Sequence, residues 1–131
     1  MQRTELPYTE RLSFVWLDTP VELRRDTVDM QVKLRNILDY LRIFDRTEPC
    51  EQYVRHINTH MEKLFFIIHG SLCATFVPHI HDLPQIKYVY IYESDKSTPG
   101  QQWLAKYPKI RGVFTDSKQL IAQIIRDKAR G

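Results

Sequence analysis

Apolar residues along the chain form two kinds of pattern, and the two kinds alternate. Five short runs are nearly continuous in apolar residues and rich in aromatic and β-branched side chains, which is typical of buried strands. These runs are Leu12–Leu17, Leu41–Phe44, Leu64–Ile68, Tyr88–Tyr92 and Gly112–Phe114. The third run contains apolar residues only, as expected of a strand that is covered on both faces of a parallel sheet.

The segments between these runs carry apolar residues every three or four positions, which predicts amphipathic helices. The stripes consist of Met30, Leu34, Ile37, Leu38 and Leu41; of Cys50, Tyr53, Val54, Ile57 and Met61; of Leu72, Phe76 and Ile80; of Trp103, Leu104 and Tyr107; and of Leu120, Ile121, Ile124 and Ile125. Thr47, Ser71 and Asp116 stand where they can cap three of these helices, and Gln119 follows Asp116 at capping-box spacing. Pro78 interrupts the third helical pattern, so a short or kinked helix is expected there.

Five alternations of strand and helix predict an α/β domain with a parallel sheet and helices on both faces. At this length the natural arrangement is the flavodoxin-like, receiver-like order 2-1-3-4-5, with the three most apolar strands in the centre. We expect residues 1–11 to form an N-terminal arm and residues 12–131 to form a single receiver-like domain.

Composition narrows the functional classes. The 131 residues suit one domain, and 19 Lys and Arg against 16 Asp and Glu give a net charge of +3. The basic residues are scattered along the sequence, which does not suggest a nucleic-acid footprint. The N-terminus has no apolar stretch typical of a secretory signal, and no apolar run approaches membrane-spanning length. Two cysteines do not make a disulfide framework, so we expect a cytoplasmic chain. From the scattered basic residues and the short apolar runs we expect no nucleic-acid partner and no membrane partner.

Polar residues follow several of the predicted strands, at the edge where ligands bind in a doubly wound sheet. The candidate crevice consists of Asp18, Thr19, His69, Gly70, Ser71 and Glu93. Polar residues at strand ends also cap helices and solvate loops, so the same residues have a purely structural interpretation.

The residues at this edge and the histidines bear on three kinds of chemistry, namely receiver-type phosphotransfer, NAD hydrolysis and metal binding. Phosphotransfer of the receiver type needs an aspartate at the end of the third strand, where the chain has His69-Gly70-Ser71, and a Toll/interleukin-receptor-like NAD hydrolase needs a glutamate that the segment from Ser71 to Asp82 lacks. The spacing of His56 with His60 and of His79 with His81 would allow metal binding. No Glu lies between the first pair, however, as the zinc-protease motif requires. We therefore predict no catalytic residue, no metal and no cofactor.

A weak anion site was also weighed at Gly70-Ser71, because free N–H groups at a helix start can hold a phosphate. A single glycine is far from a nucleotide-binding fingerprint, and the chain contains no Walker motif. Helix capping by Ser71 is the preferred interpretation of this turn.

Short stretches in a fixed order resemble a known family. They are Val15–Asp18, Cys50–Val54, Ile68–Leu72, Val77–Leu83, Tyr90–Tyr92 with Asp95–Lys96, and Lys109–Phe114. In these stretches the chain is similar to a receiver-like N-terminal domain of invertebrate multidomain proteins, which precedes an arginine-specific ADP-ribosyltransferase domain or tetratricopeptide repeats. His69 departs from the small polar residue expected in that family, and residues 97–100 form an insertion. The resemblance implies a fold and a domain context but no activity, because the chain lacks the Glu-x-Glu or Gln-x-Glu pair of the transferases.

Two classes of function follow. The first is a non-catalytic interaction or regulatory domain that contacts another protein or another domain of its own chain. Its candidate contact residues are Trp103, Tyr107, Lys109 and Arg111, where aromatic and basic residues lie close together as at many interfaces. The second is a small-ligand or nucleotide-binding domain, or a regulatory part of an ADP-ribosyltransferase, that uses the crevice at the strand ends.

Overall fold

A computed structural model describes residues 11–18, 32–36, 40–57, 62–92 and 101–130 of the chain. Its strands and helices, in chain order, are β1 Arg11–Leu17, β2 Leu41–Phe44, α1 Thr47–Arg55, β3 Glu62–His69, α2 Gly70–Ile80, β4 Ile86–Tyr92, α3 Gln101–Ala105, β5 Ile110–Phe114 and α4 Ser117–Arg130. Residues 32–36 are also helical. Residues 1–10 of the predicted arm lie outside the described residues, and Arg11 already belongs to β1.

The five strands form one parallel sheet in the order β2-β1-β3-β4-β5, which confirms the predicted topology. The three most apolar strands occupy the centre of the sheet, where parallel strands are buried on both faces. Leu17 pairs with Ile68, and His69 pairs with Tyr92. The strand ends that carry the candidate crevice therefore meet at one edge of the sheet.

Side chains that alternate along the strands divide the core into two clusters, one on each face of the sheet. The first lies beneath α1, α2 and α3 and contains Val15, Leu17, Cys50, Val54, Leu64, Phe66, Ile68, Cys73, Phe76, Val77, Ile80, Ile86, Val89 and Ile91. The second lies beneath residues 32–36 and α4 and contains Phe14, Trp16, Leu34, Phe65, Ile67, Tyr90, Leu120 and Ile124. Helices thus cover both faces, as the sequence pattern predicts.

Helix starts differ from the prediction at two of three positions. Thr47 is the first helical residue of α1, and the extended residue before it, Arg46, forms no side-chain cap hydrogen bond. Ser71 lies inside α2, whose cap is His69. Asp116 does cap α4, since its Oδ1 accepts a hydrogen bond from Lys118 N at 2.9 Å. A single residue of displacement removes a side chain from the capping position, because only the residue with extended backbone can reach the free N–H groups.

Pro78 does not end α2 where it stands. The helix continues to Ile80, and His81 N still donates to the carbonyl of Val77 at 3.0 Å. Proline removes the hydrogen bond of its own nitrogen but leaves the later ones available. Among the described residues, no helix has the length and apolar character needed to cross a bilayer.

Both cysteines are buried free thiols in the first core cluster. Burial, together with the charge of Glu51, raises the pKa of Cys50 to about 12. Cys73 donates through Sγ to the carbonyl of Gly70 at 3.0 Å. Because the thiolate is the reactive form, neither thiol is placed for redox or nucleophilic chemistry.

We therefore expect both thiols to resist alkylation in the native chain. Iodoacetamide should label neither Cys50 nor Cys73 in buffer near pH 8, and both should react once urea unfolds the protein. Intact-mass measurement counts the adducts directly. Rapid labelling of Cys50 under native conditions would contradict its placement in the core.

Candidate functional site at the strand ends

Four of the six predicted crevice residues lie in the described part of the chain. Asp18 directly follows β1, His69 ends β3, and Gly70 and Ser71 form the first turn of α2. Thr19 and Glu93 lie outside the described residues. Since Leu17 pairs with Ile68, the register brings Asp18 next to His69. Strand alternation directs both side chains to the face of the second core cluster.

Asp18 is almost completely enclosed, with 1% of its surface exposed. Its Oδ2 accepts a hydrogen bond from the indole Nε1 of Trp16 at 3.2 Å, and its backbone N donates to the carbonyl of Phe44 at 3.0 Å. A buried carboxylate is tolerated when donors surround it. Asp18 therefore anchors the end of β1 to β2 and to the core beneath it.

His69 has a structural role that the sequence pattern assigned to Ser71. Its ring is 7% exposed, and Nδ1 accepts a hydrogen bond from Ser71 N at 3.1 Å. Ser71 Oγ lies 2.8 Å from the same nitrogen. Only an unprotonated Nδ1 can accept the bond from Ser71 N, so the capping form is the neutral ring with its proton on Nε2. His69 thus caps α2 in the way that Asn, Asp or Ser usually caps a helix.

Replacing His69 tests this capping role. His69→Ala should lower the free energy of unfolding by about 1 kcal/mol, because Ser71 N loses its acceptor. His69→Asn should retain most of the stability, because the amide oxygen can accept the same bond. Urea unfolding at neutral pH compares the two variants. Equal losses from alanine and asparagine would mean that ring packing, rather than capping, is what His69 contributes.

Three of the four histidines that form the candidate metal pairs lie in the described residues, and ring contacts are seen for two of them. His56 Nδ1 lies 2.6 Å from the carbonyl of Gln52, and the ring of His81 packs edge-on against Tyr107 at 4.7 Å. The carbonyl of His79 accepts from Arg55 at 2.8 Å, and His60 lies outside the described residues. Within the described residues, no group of three or more His, Cys, Asp and Glu side chains is arranged to hold a metal ion.

Three of the predicted contact residues also support the fold. Trp103 and Tyr107 are half-buried, pack against the first core cluster and have ring centroids 4.7 Å apart. Lys109 Nζ donates to the carbonyl of Leu83 at 2.8 Å, and its partial burial lowers its pKa. The exposed parts of these side chains remain available to a partner, while their buried parts hold α3 and the loop before β4 in position.

Arg111, the fourth contact residue, is part of a buried polar cluster that the sequence analysis missed. Its Nε and Nη2 donate to Oδ2 and Oδ1 of Asp127, each at 3.1 Å. Asp127 is fully buried and also accepts from Tyr90 OH at 2.6 Å and from Gln123 Nε2 at 3.1 Å. The guanidinium carbon lies 4.8 Å from the centre of the Tyr88 ring. This cluster joins β4, β5 and α4.

The hydrogen bonds of this cluster decide its ionisation. Burial raises the pKa of Asp127, but the hydrogen bonds from Tyr90, Arg111 and Gln123 outweigh it, and the net direction is downward. Burial and the bond to Asp127 raise the pKa of Tyr90 well above its usual range. Asp127 is therefore ionised and Tyr90 neutral at pH 7, which is the arrangement that the donor and acceptor geometry requires.

A sequence signal for this cluster does exist. Asp127 lies seven residues after Leu120 and three after Ile124, on the buried stripe of α4. A charged residue on an apolar stripe needs a partner, and Gln123 at the i−4 position supplies only one donor. The sequence does not predict which cation pairs with Asp127, because Arg111 lies 16 residues before it along the chain. The packing of α4 on β5 brings the two residues together.

The structure shows the fold class of the chain. The five-stranded parallel sheet in the order 2-1-3-4-5, with helices on both faces, is a flavodoxin-like α/β fold. Comparisons with protein-family models, with curated proteins and with solved structures find no match to the chain.

Proposed function

We propose that this chain is a non-catalytic, receiver-like interaction domain that acts by contact with another protein or with another domain of its own chain. The observation that carries the proposal is that polar side chains at the strand ends make hydrogen bonds within the fold. Asp18 accepts from the Trp16 indole, and His69 caps α2. Side chains committed in this way hold the sheet edge together and are not poised to transfer a group.

The crevice remains the basis of a second candidate function, small-ligand or nucleotide binding. The register that brings Asp18 beside His69 on one face favours it, since convergent polar groups at a switch point are typical of ligand sites. Their burial opposes it, because a ligand would have to displace the hydrogen bonds that Asp18 Oδ2 and His69 Nδ1 already accept.

A covalent and binding assay separates the two candidates. The whole chain is incubated with acetyl phosphate and Mg²⁺, and intact mass is measured; ATP, GTP and NAD⁺ are then titrated by calorimetry. We expect no stoichiometric phosphoryl adduct and no saturable heat. An acyl-phosphate at an aspartate, or micromolar binding that Asp18→Asn abolishes, would overturn the proposal in favour of the crevice.

Contact through the face around α3 requires a separate test with suitable variants. Arg111→Glu is a poor probe, because it places a carboxylate against the buried Asp127 and disturbs the fold. Lys106→Glu changes an exposed residue of the same region, and Tyr107→Phe removes only the hydroxyl while it keeps the half-buried ring packed. A partner that binds the wild type and loses affinity for these variants at unchanged melting temperature would support contact at this face.

A further inference from the structure

A surface groove runs between the helical residues 32–36 and α4, on the face of the second core cluster. It encloses about 460 Å³, is open to solvent, and is lined by Lys33, Asn36, Lys118, Ile121, Ala122 and Ile125. Its lining is predominantly apolar. Ile125 is 47% exposed, and Val32, on the neighbouring helical residues, is 55% exposed. Large apolar side chains in this degree of exposure beside a groove are typical of contact surfaces.

The charged side chains that line the groove are both lysines, and the exposed carboxylate of Asp116 stands two residues before one of them. Lys33 and Lys118 stand on its two sides, and Arg35 is exposed on the same helical residues. The only carboxylate in residues 32–36 and Ser117–Arg130 is Asp127, which is buried and paired with Arg111. The groove therefore combines a mainly apolar lining with a lysine from each of its two helical segments. The sequence pattern does not predict this groove, because residues 33 and 118 are distant along the chain. They come close only because both helices cover the same face of the sheet.

We propose that this groove binds an amphipathic helix of a partner protein whose apolar side chains are flanked by Asp and Glu. The proposal rests on the proposed function as an interaction domain and names its surface and the chemistry of its partner. A helix laid between two helices buries apolar anchors at i, i+3 or i+4 and i+7 against such a lining. Its flanking carboxylates then face Lys33 and Lys118, which fixes orientation and accelerates encounter.

Charge distinguishes this occupant from two others. A second copy joined by a twofold axis would bring the lysine-rimmed groove of each chain against that of the other, which like charges oppose. An anionic membrane requires apolar side chains that project beyond the basic residues. Here the half-buried apolar residues Ile121 and Ala122 line a concave groove together with the two lysines. An acidic helix satisfies both the concave shape and the charge.

The probe is a display library of amphipathic helical peptides, selected on the whole chain, from which the best binder is synthesised. We expect enriched sequences with Asp or Glu beside the apolar anchors. Lys118→Glu and Ile125→Ser should each weaken the synthetic peptide about tenfold by calorimetry. Both positions are suited to substitution, since Ile125 is half-exposed and a glutamate in the first turn of a helix is favourable.

Two controls make the result specific. Lys106→Glu changes charge by the same amount at an exposed position after α3, and we expect less than a twofold effect. A peptide with Lys in place of its acidic residues should bind Lys118→Glu better than it binds the wild type. Melting temperatures of all variants confirm that the fold is intact.

Three other outcomes would overturn the proposal that the groove binds an acidic helix, and they can be distinguished from one another. Selected peptides that bind Lys118→Glu and Ile125→Ser as well as the wild type but lose affinity for Tyr107→Phe would move the contact to the α3 face and leave the proposed function standing. Binding of the chain to phosphatidylserine vesicles through Lys118, with no peptide selected, would make the surface a membrane contact instead. No binding to peptides or vesicles, together with nucleotide binding at Asp18, would overturn both proposals.

Discussion

Replacing Asp127 with alanine should lower the free energy of unfolding by about 3 kcal/mol, because it breaks a buried ion pair by removing one partner. The substitution leaves the buried Tyr90 hydroxyl without its acceptor at 2.6 Å and the Arg111 guanidinium without its counterion. Arg111 is 30% exposed and can turn partly to water, which keeps the loss at the lower end of the range for buried pairs. The melting temperature should fall by on the order of 10 °C.

Urea unfolding of Asp127→Ala, Gln123→Ala and Arg126→Ala provides the comparison. Gln123→Ala removes a single hydrogen bond to Asp127 and should lower stability by about 1 kcal/mol. Arg126 is exposed and its side chain donates to Gln123 at 3.1 Å, so Arg126→Ala should be nearly neutral. Similar small losses for all three variants would show that the buried cluster does not hold α4 to the sheet.

Acid should remove the same stabilisation. The pKa of Asp127 is lower in the folded chain than the unfolded value of about 3.9, so its contribution is fully present above that value. It is lost as the pH falls below about 4 and through the folded pKa. The stability advantage of the wild type over Asp127→Asn should therefore be constant from pH 7 to 5 and shrink toward pH 3. An advantage that grows in acid would mean that burial, not hydrogen bonding, controls this carboxyl.

Replacing Trp16 with alanine should cause a loss of about 4 kcal/mol, the largest of any single substitution considered. Trp16 is fully buried in the second core cluster, between the sheet and the helices that cover it. Its removal opens a cavity and withdraws the indole N–H that Asp18 accepts. Since domains of this size are stable by only about 5–15 kcal/mol, the variant should remain folded only at low temperature or low urea.

Trp16→Phe and Trp103→Ala serve as matched comparisons. Trp16→Phe keeps one aromatic ring in place, so its smaller loss of about 1–2 kcal/mol reports on the hydrogen bond to Asp18 together with the missing part of the indole. Trp103 is half-buried on α3, and Trp103→Ala should lower stability by about half as much as Trp16→Ala. If the two alanine variants unfold at the same urea concentration, the burial assigned to Trp16 is wrong.

The sheet was predictable because its signal is local. Runs such as Leu64–Ile68 are continuously apolar, and their alternation with helical periods leaves few topologies for a parallel sheet. The order 2-1-3-4-5 then follows from which strands are apolar enough for the centre. The observed strand ends differ from the predicted ones by up to two residues. A shift of this size is enough to change the structural role of the residue at the end.

The candidate site was less predictable because its chemistry depends on such displacements and on distant contacts. His69 caps α2 because the helix starts one residue before Ser71, which places the histidine in extended backbone. Arg111 appeared to be a surface cation until the packing of α4 brought Asp127 to it. Lys33 and Lys118 share a groove only because two separate helices cover one face of the sheet.

Amide NMR of the whole labelled chain tests the central claim most directly, since one spectrum reports on the strand ends and on the groove together. The selected acidic peptide is titrated in one series, and acetyl phosphate with Mg²⁺, followed by nucleotides, in another. We predict that the peptide shifts the amides of residues 32–36 and of α4 from Lys118 to Ile125, while the second series leaves Asp18, His69 and Ser71 unmoved. Shifts at Asp18 and His69 with a phosphodonor or nucleotide, and none along α4 with the peptide, would contradict the account.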